Sequence, residues 1–477
     1  MINKFKETPG VTKSFECYVS SSTLWFENSS DMKTTISFLD YWKIKNNANV
    51  DIEVKTYSMN GSLLKKEYLN FTKGYVKNYS PLNGRNGSGS VEIKIISKNN
   101  LRVPYAAIVA IYKTKYGISG VHSYSRTYYN NGEELSDGCE GSWTIRDNSL
   151  IESFCVFHNG SKIQPKQEIQ LKIQNKKNRI LIKNIQLPAM KPYATTKIII
   201  KDHVDNIVGF LDNDIGTVSC KHKVNGSFAR MLIGNKSTQD GADMQVTHSN
   251  FNYKEIGCDD YLDKDDKSLK PYPGKVNNNS KFIIYPHIAK GKYTARLGRK
   301  LFEIGTPQKI IEVPVNKKCS EINFTANKGK LPTRLQLGII SQNNKKRIPN
   351  EVAFSAITSI EPMKRFHWGI CAFGEEMKTK LIISNLKNLD KNKQHFKELV
   401  INIYAANNKK ILNKKYVKLS SLKNFEEGVD IKNIFSDLKN IKKTSFGYFS
   451  IFSQYGRFLC YSEIANKHGS VFKEHSF

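Results

Sequence analysis

One pattern recurs along this chain with different residues each time: alternating apolar and polar positions, a turn rich in Asn, Gly and Lys, then alternation again. It reads VDIEVKTYSMNGSLLKKEYL at 50–69, EIQLKIQNKKNRILIKNIQL at 168–187 and LVINIYAANNKKILNKKYVKL at 399–419. A period of two puts successive side chains on opposite faces, so each stretch reads as a β-hairpin with one buried face. A short apolar strand precedes each: LWFEN at 24–28, FCVFHN at 154–159 and ICAFGE at 370–375. FIIYPH at 282–287 opens a further, shorter unit whose first hairpin is not visible. Second hairpins close the units at 107–124, 229–250, 335–357 and 447–464. In each of these an aromatic or imidazole side chain precedes a serine: His122-Ser123, His248-Ser249, Phe354-Ser355 and Tyr461-Ser462.

Helical signals are sparse, and only 429–440 has the pattern of a short helix between strands. Short strands and turns at this spacing predict an all-β chain of tandem immunoglobulin/fibronectin-like antiparallel β-sandwich modules, with helix in under about a tenth of residues. The expected modules are 1–135, 136–260, 261–365 and 366–477, the third being the shortest. A length of 477 residues suits several cores rather than one, and 39% apolar residues are enough to fill them. The first ten residues, MINKFKETPG, lack the apolar run of a secretory signal, and no stretch approaches the roughly 20 apolar residues of a membrane-spanning helix. The default expectation is therefore a cytoplasmic chain without a transmembrane segment.

A net charge of +31 draws anionic partners. Lysine supplies most of it and is spread over every module, whereas phosphate recognition leans on the planar fork of arginine. Compositional drift towards lysine on a solvated surface accounts for the excess better than dedicated nucleic-acid binding, and the expected partner is an anionic polysaccharide or further copies of the chain. The eight cysteines include no CxxC pair, which argues against a zinc ribbon. Several sit in apolar runs (FCVF, GICAF, FLCYS), as buried reduced thiols do.

Three groups of residues are candidates for chemistry. His122, Tyr124 and Arg126 alternate along one strand and share a face. Looking outward, with Ser123, Ser125 and Thr127 turned in, they would offer stacking and hydrogen bonds to a sugar or carboxylate. Trp143, Arg146 and Asp147 stand in a connector and read either as a sugar platform or, with better support, as an inter-module hinge. Asp259, Asp260 and Asp263 belong to an acidic knot that could hold calcium, yet their spacing lacks the glycine and distal glutamate of an EF-hand, and a solvated loop accounts for them more simply. GxSxG, GxxxxGK[ST], HExxH and post-strand GxGxxG motifs are all missing. No cofactor is expected beyond that calcium option. These residues support a non-enzymatic, multi-modular binder of a polymeric, acidic glycan. A structural or assembly protein packing against copies of itself is the alternative, and an enzyme of glycan metabolism comes third.

Overall fold

In the computed structural model the alternation at 50–69 becomes a hairpin of Asp51–Ser58 and Leu63–Leu69, with Ile52 and Val54 in the core. Gly61 makes its turn possible. Its φ is +84, a left-handed value that glycine adopts freely, and a Cβ there would lie 2.3 Å from the Pro192 carbonyl oxygen. In the second hairpin, Gln167–Asn175 and Ile180–Leu187, Asn178 takes the left-handed position at φ +64. The third is Glu398–Ala405 with Asn413–Lys418. The structure describes residues 11–14, 17–71, 74–98, 108–123, 125–127, 136–224, 227–239, 243–251, 268–269, 280–286, 292–297, 299–304, 309–314, 322–328, 337–354, 366–385, 398–406, 413–418, 424–425, 427–453 and 458–475. Of these residues 63% are strand and 9% helical.

The strands fall into four sets of eight with one topology. In module one they are Cys17–Asn28, Met32–Leu39, Asp51–Ser58, Leu63–Leu69, Val76–Tyr79, Gly87–Ser97, Ile108–Thr114 and Ile118–His122. The first, sixth, third and fourth form one antiparallel sheet in that order, and the fifth, second, seventh and eighth form the other. Val11–Ser14 extends the first sheet beside the first strand. Module two repeats both orders from Ser136–Ile145 to Met244–His248, module three from Ser268–Leu269 to Asn350–Phe354, and module four from Phe366–Phe373 to Val471–His475. The chain is therefore a tandem series of antiparallel β-sandwiches. The adjacency of second with fifth strand and of third with sixth is also that of an immunoglobulin sandwich.

Two elements differ from expectation. Module three does contain the first hairpin, Lys292–Leu297 with Lys300–Ile304. Its alternation, Tyr293, Ala295 and Leu297 and then Phe302 and Ile304, is short, and among the side chains described there only Ala295 and Ile304 are buried. In module four, 447–464 is not a hairpin: Ser445–Ser453 and Phe458–Asn466 lie in different sheets. The closing hairpin is Phe458–Asn466 with Val471–His475. The position matching His122, His248 and Phe354 is accordingly His475 rather than Tyr461, because each ends an eighth strand in the same register.

The region 429–440 forms a short helix, Ile431–Ile434, capped by the Asp430 carboxylate, and a 3-10 turn, Ser436–Asn440. Module two carries helices at the same point between fifth and sixth strands, Ile200–His203 and Ile207–Leu211. They close its core of Trp143, Ile169, Leu171, Ile173, Val218 and Ile233. All five cysteines with described side chains are buried and unbridged, and burial pushes the Cys155 thiol up to about 12. By compactness the chain divides into residues 1–258, holding modules one and two, and residues 259–477, holding three and four.

Candidate functional site

In the first unit the eighth strands of modules one and two lie side by side, joined by side chains rather than a backbone ladder. Ser119 Oγ accepts from the Val246 N–H at 2.8 Å and donates to the Val246 carbonyl at 3.1 Å, while Gln245 Nε2 donates to the Ile118 carbonyl at 3.0 Å. At the end of these strands His122 meets His248 edge to face, with ring centroids 4.6 Å apart. His248 Nδ1 lies 2.8 Å from the Ser249 carbonyl, and Arg230 Nη1 stands 3.0 Å from Nδ1 and 3.2 Å from Nε2 of the same ring. His122 is 4% exposed, and burial together with the Arg230 charge holds it neutral, well below its ordinary pKa. Glu140 Oε2 accepts from the Met231 N–H at 2.9 Å and stands 3.9 Å from His222 Nε2. Burial pushes His222 down to about 4.

The outward platform expected of His122 is thus not formed by that residue. His122 and Ser123 are both buried, because the neighbouring module covers this strand from the side that a single sandwich would leave open. Tyr124 lies outside the described residues. Arg126 falls on a three-residue strand, Ser125–Thr127, which pairs with Ser227–Ala229 of module two. Trp143 packs in the core of module two at 2% exposure. Asp147 is buried too, its Oδ1 accepting from the Ser153 N–H at 3.0 Å, and Arg146 N–H donates to Ser153 Oγ at 2.9 Å. The group holds the turn between first and second strands, and a sugar would reach Trp143 only through the core. Asp259, Asp260 and Asp263 lie outside the described residues. Among those described, no group of three or more His, Cys, Asp or Glu is placed to hold a metal ion.

Exposed apolar side chains gather elsewhere, on the fourth strands. Leu63, Leu64 and Tyr68 stand out in module one, Ile180 and Ile182 in module two, Leu301 in module three and Tyr416 in module four. Tyr68 is 68% exposed on the outer sheet face, with Lys66 Nζ 5.0 Å from its ring centre. Its hydroxyl donates to Glu53 Oε1 at 3.3 Å, and both Lys55 and Lys66 reach the Glu53 carboxylate at 2.8 Å. Partial burial tends to raise Glu53, but the two lysines outweigh it and hold the carboxyl down to about 2. Aligning Ile52-Glu53-Val54 with Leu399-Val400-Ile401 gives Tyr416 the position of Tyr68, since each tyrosine pairs across strands with the central residue. Tyr416 is 57% exposed, and across the same face Val400 neighbours Phe452, itself 43% exposed. The alternation in both hairpins made these outward positions readable. What the sequence left unmarked was that this strand, and not the eighth, keeps an open face.

The fold defines a class, tandem antiparallel β-sandwich modules. No family model matches the chain, and no curated protein matches it. No helix among the described residues is long and apolar enough to cross a membrane.

Proposed function

We propose that this chain is a non-enzymatic, multi-modular binding protein whose ligand is a polymeric acidic glycan. The observation that carries the reading is the exposed Tyr68 ring beside Lys66 on an outer sheet face, with Tyr416 at the same position in module four. An open aromatic face stacks on the C–H face of a sugar, and adjacent ammonium groups pair with its carboxylates or sulfates. Two such positions on one chain gain avidity on a repeating polymer. The net charge of +31 adds long-range attraction that salt weakens.

Heparin serves as the probe. The chain is expected to be retained on a heparin column and to elute as salt rises. Tyr68→Ala combined with Lys66→Ala and Tyr416→Ala should elute at clearly lower salt while the chain stays folded in urea unfolding, since all three side chains are exposed and Lys55 still pairs with Glu53. Unchanged retention of that variant would remove the reading. Assembly with copies of itself is the second reading, favoured by one sheet edge in module two.

A further inference from the structure

Among the described residues each fourth strand stands at the edge of its sheet, with one row of backbone groups facing outward. Natural edges of this kind are guarded by charge, shortness or a bulge, because an open edge invites another strand. Three of the four follow the rule. Leu63–Leu69 carries Lys65, Lys66 and Glu67 and has a register shift at Thr56/Tyr57 in its ladder. Lys300–Ile304 is only five residues long, and Asn413–Lys418 has lysine at 414, 415 and 418. Ile180–Leu187 does not. It runs eight residues, ILIKNIQL, with a single charge at Lys183, no proline and an unbroken ladder to the third strand. Ile180 and Ile182 are 51% and 59% exposed on its outer face. The cations at its hairpin tip are engaged locally, Lys176 with Asp214 at 2.8 Å, Lys177 with Asp212, and Arg179 with the Phe210 carbonyl at 3.0 Å.

We propose that this edge pairs with the same edge of a second copy of the chain, in an antiparallel ladder about a twofold axis at Ile182. Backbone parity favours it. Asn175 N–H donates to the Arg179 carbonyl at 3.1 Å, so odd-numbered residues of the strand face the third strand. Ile180, Ile182 and Asn184 therefore turn their N–H and C=O groups to the open edge. Opposed residues in an antiparallel pair share a face, so only registers that match outer with outer positions are allowed. Centring on Ile182 sets it against Ile182 of the second copy and Ile180 against Asn184, with about six new backbone hydrogen bonds. A centre one residue later sets Lys183 against itself, and one residue earlier sets it against Arg179, both like-charge pairs that cost stability. A centre at Asn184 avoids like charges too, but it sets Ile180 against Pro188, which has no N–H to donate. The edge is thus most self-complementary about Ile182, as a twofold interface requires.

This pairing stands apart from the glycan reading, and salt separates the two. Copies that each carry +31 repel, so salt should strengthen the dimer while it weakens retention on heparin. Sedimentation velocity on the full chain, over a concentration series at low and high salt, tests it. A dimer is expected that grows with concentration and salt. Ile182→Lys should raise its dissociation constant more than about tenfold, whereas Leu301→Lys on the short edge of module three should leave it unchanged. A chain that stays monomeric throughout, or a dimer indifferent to Ile182→Lys, overturns the proposal.

Discussion

Three histidines that alternation alone leaves ambiguous are neutral core residues. His122 is covered by module two, His158 Nδ1 sits 2.9 Å from Thr195 Oγ1, and His222 packs edge to face on Phe157 at 5.1 Å. Burial drives His158 to about 3 and His222 to about 4, against an ordinary 6.5. The unfolded chain therefore takes up protons below about pH 6.5 that the native state refuses, so stability must fall as pH drops from there toward 4. Above that window both states hold neutral rings and these residues contribute no slope. At about 1.4 kcal/mol per pKa unit, His222 alone costs about 3 kcal/mol by pH 4. Urea unfolding of the parent chain and His222→Gln at pH 7.5, 5 and 4 checks this, the variant losing less stability on acidification. Equal losses would show that His222 titrates normally. The sequence made the His-Ser repeat visible but not its burial, because period two says which residues share a face and not which face is covered.

At the scale of elements, long hairpins were legible and short ones were not. The hairpins at 50–69, 168–187 and 399–419 each bury two or more alternating aliphatics on their first strand, which is what a reader of sequence can see. The closing hairpin of module four hid for a different reason: its eighth strand, VFKEH, places a lysine and a glutamate among buried positions. Lys473 is 2% exposed, and its ammonium lies 3.3 Å from Glu463, its cross-strand partner, which Lys380 approaches at 3.8 Å. A buried pair of this kind adds little over an apolar pair of similar size, but removing one partner strands the other charge. Glu463→Gln should therefore destabilise module four by about 3–5 kcal/mol. The double change Glu463→Leu with Lys473→Met should recover most of that loss in the same denaturation experiment. A mild single change, or a double change no better than the single, would mean that Lys473 finds other partners or reaches water.

For the whole molecule, what could not be read was which strand of each module its neighbour covers. In the first unit it is the eighth, Ile118–His122 against Met244–His248, and the second unit pairs its own eighth strands, Asn350–Phe354 against Val471–His475, with Asn350 Oδ1 accepting from the Lys473 N–H at 3.0 Å. The contacts join residues more than a hundred positions apart, beyond any local periodicity. They also reach into the cores. Trp25 of module one packs on Tyr112 of its own module at 5.3 Å and on Phe154 of module two at 5.6 Å. Lys197 lies over both the Trp25 and Phe154 rings and bonds Glu27 at 3.4 Å, while Tyr57 stacks on Tyr193 at 4.4 Å. A seam that shares aromatic core residues couples the two sandwiches, so modules one and two should unfold in one step rather than two. Trp25→Ala in the first and Leu171→Ala in the second should each cost about 3–5 kcal/mol and lower the same calorimetric transition. If each variant instead lowers a different transition, the modules fold independently and the seam is only a contact. The same coupling buries the eighth strands at His122 and His248, whereas the fourth strands stand at the edge of the other sheet, where exposed side chains gather.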